Sequence, residues 1–289
     1  MLAATRGMEK VLFHYLKQAI QLPGGFKKLF IETRDGLPLR RRRENGEILC
    51  RRDEIMLFKN SKALRKLALF AVVQTVPVAG WLPIIIALTY PRELLTSHFW
   101  SEDEKESFFL KEYSERCHYA IQMKNHLDKC CQPDLSTFSP STHSFPSLRF
   151  LPRTHLKLLA GANATHGNFI THRFSPTFLT RYLMEQKAAF ILKDDDFLRA
   201  GGLDDMTVDE LQEALLLRGY NPSLGETFTD LHQFKESLRG WLRAHDSEKR
   251  KGHMINSASY ILHAVALSET SLNVEETIRI ADELDTGKD

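Results

Sequence analysis

Residues 67–90 read LALFAVVQTVPVAGWLPIIIALTY, 24 positions without one charged side chain. A helix of that length reaches about 36 Å, and about 20 apolar residues suffice to cross a bilayer core. Lys62, Arg65 and Lys66 flank one end, and Arg92 and Glu93 the other. Trp81 and Tyr90 are the larger aromatics, with Tyr90 where an interfacial ring would sit. The stretch predicts a single transmembrane helix. A buried core helix or a pair of shorter helices is the alternative, favoured by Pro77, Pro83 and Gly80, because each proline removes a backbone donor. Such breaks are tolerated more readily in membranes than in water.

Charge divides around this stretch. Residues 1–66 carry a net +9 and residues 91–289 a net −7, so the overall +2 hides a basic arm and an acidic remainder. In the arm, residues 8–22 place Leu12, Leu16, Ala19 and Ile20 on one helical stripe. A basic, acid-poor amphipathic helix points to a targeting segment or a membrane-surface helix. Arg40, Arg41, Arg42 and Arg43 form an unbroken basic run. Next to a span, that run reads as attraction to anionic lipid or as a topology signal, with Lys66 and Arg92 marking the span's edges. The positive-inside rule puts the arm on the matrix or cytoplasmic side and the acidic remainder opposite.

The remainder reads as helices. Residues 101–131 carry a stripe of Phe109, Tyr113, Cys117, Ala120 and Leu127, with Ser101 as a cap and acids in the first turn. Cys130 and Cys131 read as packing residues. Residues 132–153 are rich in Ser, Thr and Pro and read as a linker. Ser175 and Pro176 read as an N-cap and a first-turn proline, and Gly201–Gly202 as a stop. Thr207 and Glu210 have capping-box spacing, and Gly219 ends the helix that follows. Further helices are expected over 229–245, with Leu231, Phe234, Leu238, Trp241 and Leu242, over 254–267, and after Asn273. No strand alternation with hairpin turns competes, so the fold class is all-α.

Little in this remainder points to chemistry. No P-loop, GxSxG, GxGxxG, HExxH or CxxC pattern occurs, so no enzyme, metal or cofactor is expected. His143, His155, His166 and His172 are irregularly spaced and read as solvated or hydrogen-bonded. Asp194–Asp196 and Asp204–Asp205 lack an EF-hand register and read as solvated helix ends. Two basic clusters, Arg149, Arg153 and Lys157, then Lys249, Arg250 and Lys251, are candidate partner contacts. Arg218 reads either as a cap on helix carbonyls or as a partner contact.

Three stretches in order resemble the LETM family, the leucine-zipper and EF-hand-containing transmembrane proteins of mitochondria. They are TYPRELLTSHFW at 89–100, LDDMTVDELQEALLLRGYNP at 203–222 with its Arg218–Gly219, and LRGWLRAH at 238–245 around Trp241. The resemblance covers roughly residues 55–270 and is nearest the short, LETM-domain-containing branch. It implies one inner-membrane span and a ribosome-binding-like, 14-3-3-like helical domain over 110–289 that faces the matrix. The charge rule and the resemblance thus place the acidic part on opposite sides.

The chain accordingly divides into a basic arm at 1–66, a span at 67–90, a long helix at 91–131, a linker at 132–153 and the helical domain. The leading expectation is a membrane-anchored adaptor that brings mitochondrial ribosomes or assembly factors to the inner membrane, with direct nucleic-acid contact left open. A component of a cation/proton exchange system is the alternative; it would need homo-oligomerisation, and residues 67–90 contain no ionisable pathway residue apart from Tyr90. A soluble or outer-membrane regulatory protein, whose arginine arm binds lipid or nucleic acid, is the third.

Overall fold

The computed structural model describes residues 2–74, 92, 95–130, 147–165, 175–220, 231–250 and 257–268. Every regular element among them is helical: α1 (Leu2–Glu44), α2 (Arg51–Gln74), a 3-10 turn (Ser97–Phe99), α3 (Glu102–Cys130), α4 (Arg153–Ala162), α5 (Thr177–Gly201), α6 (Val208–Leu217), α7 (Leu231–Arg250) and α8 (Ser257–Ser268). The chain falls into two units, Met1–Phe108 and Phe109–Asp289.

In the first unit the arm is one helix well past residue 22. Pro23 and Pro38 lie inside α1. Pro38 is exposed, and so is Arg34, the residue four before it whose carbonyl loses its helix donor to the proline. The helix stops just past the arginine run, at Asn45 and Gly46. Glu47 N–H donates to the Arg42 carbonyl at 3.0 Å and Gly46 N–H to that of Arg43 at 3.1 Å, with Gly46 at φ 84°. That is a Schellman stop, and the last-turn arginines face the negative end of the helix dipole. Arg42 also pairs with Glu47 at 2.7 Å. α1 then packs on α2. Gly36 permits the close approach, since a Cβ there would lie 2.8 Å from Asn60 Nδ2. Leu29, Ala63, Leu95 and Phe99 form the small core. His98 bridges to Glu32 through Nε2 at 2.8 Å.

The uncharged stretch begins in the last turns of α2. Among the described residues no helix is long and apolar enough to cross a membrane. Residues 75–91, which hold most of the expected span with Trp81 and Tyr90, lie outside the described residues, as does the Lys66 side chain.

The second unit is built on α5 and α8, which contribute to two hydrophobic clusters. One gathers Ala120, Met123 and Leu127 of α3, Leu156, Leu159 and Ala160 of α4, Met184 and Ala188 of α5, and Leu262 and Ala266 of α8. The other gathers Ile191 and Leu198 of α5, Leu211, Ala214 and Leu215 of α6, Phe234, Leu238, Trp241 and Leu242 of α7, and Ile261 and Val265 of α8. Each helix thus buries one stripe at helical spacing. Gly161 lets α4 approach α3, where a Cβ would collide with the Tyr119 ring.

Helix ends follow the local chemistry, with two shifts. Ser101 and Glu104 exchange backbone-to-side-chain hydrogen bonds at 2.8 and 3.4 Å ahead of α3. Thr207 and Glu210 form the expected capping box of α6. α6 ends in a Schellman stop, with Tyr220 N–H to the Leu215 carbonyl, Gly219 N–H to that of Leu216, and Gly219 at φ 87°. At α5, however, Pro176 rather than Ser175 is the N-cap and Thr177 starts the helix. α7, expected to end at 245, runs on to Arg250, and Leu231 in its first turn is 41% exposed. Residues 147–150 form a turn, with Leu148 and Leu151 buried, and lead into α4. The helix expected after Asn273 lies outside the described residues, as do Cys131, His143, His166, His172 and Lys251.

Candidate functional site

The strongest electrostatic feature is inside the second unit. Asp194 and Asp195 fall at the spacing of Ile191 and Leu198, so they sit on the buried stripe of α5. Arg218, at the end of α6, points its guanidinium at them. Its Nε donates to Asp195 Oδ1 at 3.0 Å, its Nη2 to Asp194 Oδ2 at 2.8 Å and to Asp195, and its Nη1 to the Ala214 carbonyl at 2.7 Å. The Trp241 indole of α7 donates to Asp195 Oδ2 at 3.2 Å. Three helices therefore meet on one buried carboxylate. Burial also pushes the nearby Tyr220 hydroxyl pKa up, partly offset by the Arg218 charge.

Two expectations are corrected here. Asp194 and Asp195 are not solvated helix-end acids: they lie within α5, buried, because Arg218 and Trp241 supply their donors. Arg218 is not a partner contact, because it is fully buried; of the two roles read from the sequence, the structure shows the bond to a helix carbonyl. Two buried carboxylates facing one guanidinium are stable only with geometry of this kind. Closed off from solvent, the group holds helices together and offers no place for a substrate.

A second buried polar group joins α4 and α8. His155 and His263 face each other through their Nε2 atoms at 2.8 Å. His263 Nδ1 donates to the Ser259 carbonyl at 2.7 Å, which leaves its Nε2 as acceptor for a proton held by His155. Burial, reinforced by His126, lowers the His155 pKa to about 4. Burial lowers that of His263 to about 3, against the opposing effect of its bond to Ser259 and with a further lowering from His155. The pair is neutral at ordinary pH. Among the described residues no group of three or more His, Cys, Asp or Glu is arranged to hold a metal ion.

The accessible chemistry lies on the turn before α4 and the first turns of α5. Arg149 and Arg153 are exposed, and Lys157 is half-buried on α4. Phe150 between them is 81% exposed, and on α5 Phe178 is 73% and Tyr182 55% exposed. Arg181 fixes these segments together: its Nε donates to the Leu148 carbonyl at 3.1 Å and its Nη2 to that of Leu151 at 3.5 Å. The result is a surface with two arginines and three aromatic rings, a composition suited to docking on a macromolecule. The sequence reading found its cations and missed its rings. Phe178 and Tyr182, four apart, share one side of α5, and nothing in the local sequence marks that side as uncovered. Of the other basic cluster, Lys249 and Arg250 end α7 with side chains outside the described residues. Arg40 is half-buried on α1, and Arg41, Arg42 and Arg43 are exposed; Arg92 is half-buried.

The profile of the family described as LETM1-like, RBD matches residues 49–145 and 133–267. No solved structure matches the chain. LETM1-like proteins are not a known enzyme family. The match runs through all three motifs, and Arg218 and Trp241, from the second and third, meet at Asp195. A match over that length means that the chain belongs to the LETM1-like RBD family, and the described elements of the second unit, all helical, agree with it.

Proposed function

We propose that this protein is an adaptor anchored in the mitochondrial inner membrane through residues 67–90, with its second unit engaging ribosomes or respiratory-complex assembly factors. The observation that carries the reading is the match to a ribosome-binding-type domain over residues 49–267. The surface built from Arg149, Phe150, Arg153, Phe178 and Tyr182 is the docking face: exposed rings and arginines are the side chains that dominate binding energy at interfaces.

Two experiments test it. A tag after Asp289 that stays protease-protected in mitochondria with a ruptured outer membrane puts the second unit in the matrix, where ribosomes are; exposure of the tag removes ribosome docking. Ribosomes from the same organelles should co-sediment with the protein. Phe178→Ala with Tyr182→Ala, or Arg149→Glu with Arg153→Glu, should each weaken that binding by roughly tenfold or more. Undiminished binding by both double variants sinks the assigned face, and absence of binding by the wild type sinks the ribosome reading. Movement of K⁺ or Ca²⁺ by the purified protein in vesicles would instead favour the exchange system.

A further inference from the structure

α1 turns Gly25, Leu29 and Gly36 inward, all buried: Gly25 against the Phe99 ring, Leu29 in the cluster with Ala63 and Phe99, and Gly36 against Asn60 of α2. At 3.6 residues per turn these three share one narrow side. The opposite side, a sector of about 160°, holds Phe26, Leu37, Phe30, Arg41, Arg34, Lys27, Pro38, Ile31 and Arg42 in angular order. Each of these is exposed. Phe30 is 69%, Leu37 50%, Phe26 49% and Ile31 37% exposed, although Phe26 rests one edge against Phe99 with centroids 4.9 Å apart. Between Phe26 and Arg42 the sector holds no acid; Glu44, the last residue of α1, stands at its edge in line with Phe26. Glu32 lies beyond it and bonds His98; Asp35 lies at its border and pairs with Arg34 at 3.0 Å; Glu47, beyond the helix, pairs with Arg42.

We infer that this outward face of α1, from Phe26 to Arg42, lies on an anionic phospholipid surface. Four large apolar side chains point out along a single convex helix, where a fluid bilayer needs no matching groove. Lys27, Arg34, Arg41 and Arg42 stand among them, and long cationic side chains at such a level reach outward to lipid phosphates while their stems stay against apolar surface. Charge complementarity decides between an anionic and a neutral surface. Position agrees: Leu29 shares a cluster with Ala63, four residues before the uncharged stretch begins at Leu67. For where the face lies, the inference rests on the membrane attachment proposed above. It concerns a different segment from residues 67–90 and a different surface from that of the second unit.

The test uses the full chain reconstituted in vesicles of phosphatidylcholine alone or mixed with phosphatidylglycerol, with no ribosomes present. A photoreactive group is placed by Phe30→benzoylphenylalanine, and in a parallel protein by Lys28→benzoylphenylalanine, outside the sector. Phospholipid adducts should form at position 30 in the mixed vesicles about tenfold more than at position 28. They should fall by about tenfold in phosphatidylcholine alone, or when Lys27→Glu, Arg34→Glu and Arg41→Glu are combined. The lipid comparison needs no charge variant, so it stands even if that variant misfolds. Absence of lipid adducts at position 30, equal adducts in both vesicles, or adducts to a second copy of the chain would each overturn the inference. If the protein still resists alkaline carbonate in that event, the anchor stands and only the α1 face is lost; release by carbonate removes the anchor itself.

Discussion

Arg218 is the residue whose loss should cost most. It is the guanidinium that the buried Asp194 and Asp195 share, and it carries four hydrogen bonds. Arg218→Met should lower the stability of the second unit by about 3–5 kcal/mol, because the carboxylates stay behind without their partner. Denaturant titration of the variant checks this, and restoring much of the loss by adding Asp194→Asn and Asp195→Asn would identify stranded charge as the cause. Arg218→Lys should also fall short of the wild type, since an ammonium cannot reproduce the fork that serves Asp194, Asp195 and the Ala214 carbonyl together. Trp241→Phe keeps the ring but deletes the donor to Asp195, at about 1–3 kcal/mol.

Single helix ends test the local grammar. Thr207→Ala removes the oxygen that accepts from Glu210 N–H and should cost about 1 kcal/mol. Gly219→Ala forces a side chain into the left-handed region at φ 87° and should cost about 1–2 kcal/mol. Both effects should appear as a shift of the unfolding midpoint at unchanged denaturant slope. At the contact of α3 and α4, Gly161→Ala drives a methyl into the Tyr119 ring, an overpacking cost of about 1–3 kcal/mol. Pairing it with Tyr119→Leu should recover part of that loss. Helix stops of this kind were legible in the sequence because caps are set by a few neighbouring residues. The start of α5 was misplaced by one position because a proline ahead of a helix can stand at the cap or inside the first turn.

For the second unit as a whole, the His155–His263 pair couples stability to pH. Both imidazoles titrate below their ordinary value of 6.5, near 4 and 3, because the interior disfavours the charged form. The unfolded chain therefore binds more protons than the folded one as pH falls below about 6.5. The pair's contribution is fully present above that value and is lost progressively toward pH 3–4. Thermal midpoints of the full protein between pH 7 and pH 4 should fall. The fall should be shallower in a His155→Gln, His263→Gln variant, whose stability at pH 7 drops by about 1–3 kcal/mol through weaker packing and hydrogen bonding. An identical slope in both proteins would assign the acid sensitivity to carboxylates instead.

Much of the molecule could be read from its order of residues. Helical periodicity, caps and the absence of alternating strands gave an all-helical remainder, and three ordered motifs gave the family. These are local properties, settled within a turn or two of helix. The partners of buried charges were not legible. Asp195 meets a guanidinium 23 positions later and an indole 46 positions later, and nothing short-range separates such an acid from a solvated one. The rings of the candidate docking face were hidden for the converse reason: periodicity says which side chains share a face of α5, but only packing says which face is covered. So the sequence by itself determined the helical class of the described residues, the caps at Ser101 and Thr207 and the stop at Gly219, the charge division and the uncharged stretch at 67–90. The tertiary structure decided that Asp194, Asp195 and Arg218 are a buried lock and that Phe150, Phe178 and Tyr182 face outward, because burial is a property of the neighbours a residue acquires from distant parts of the chain.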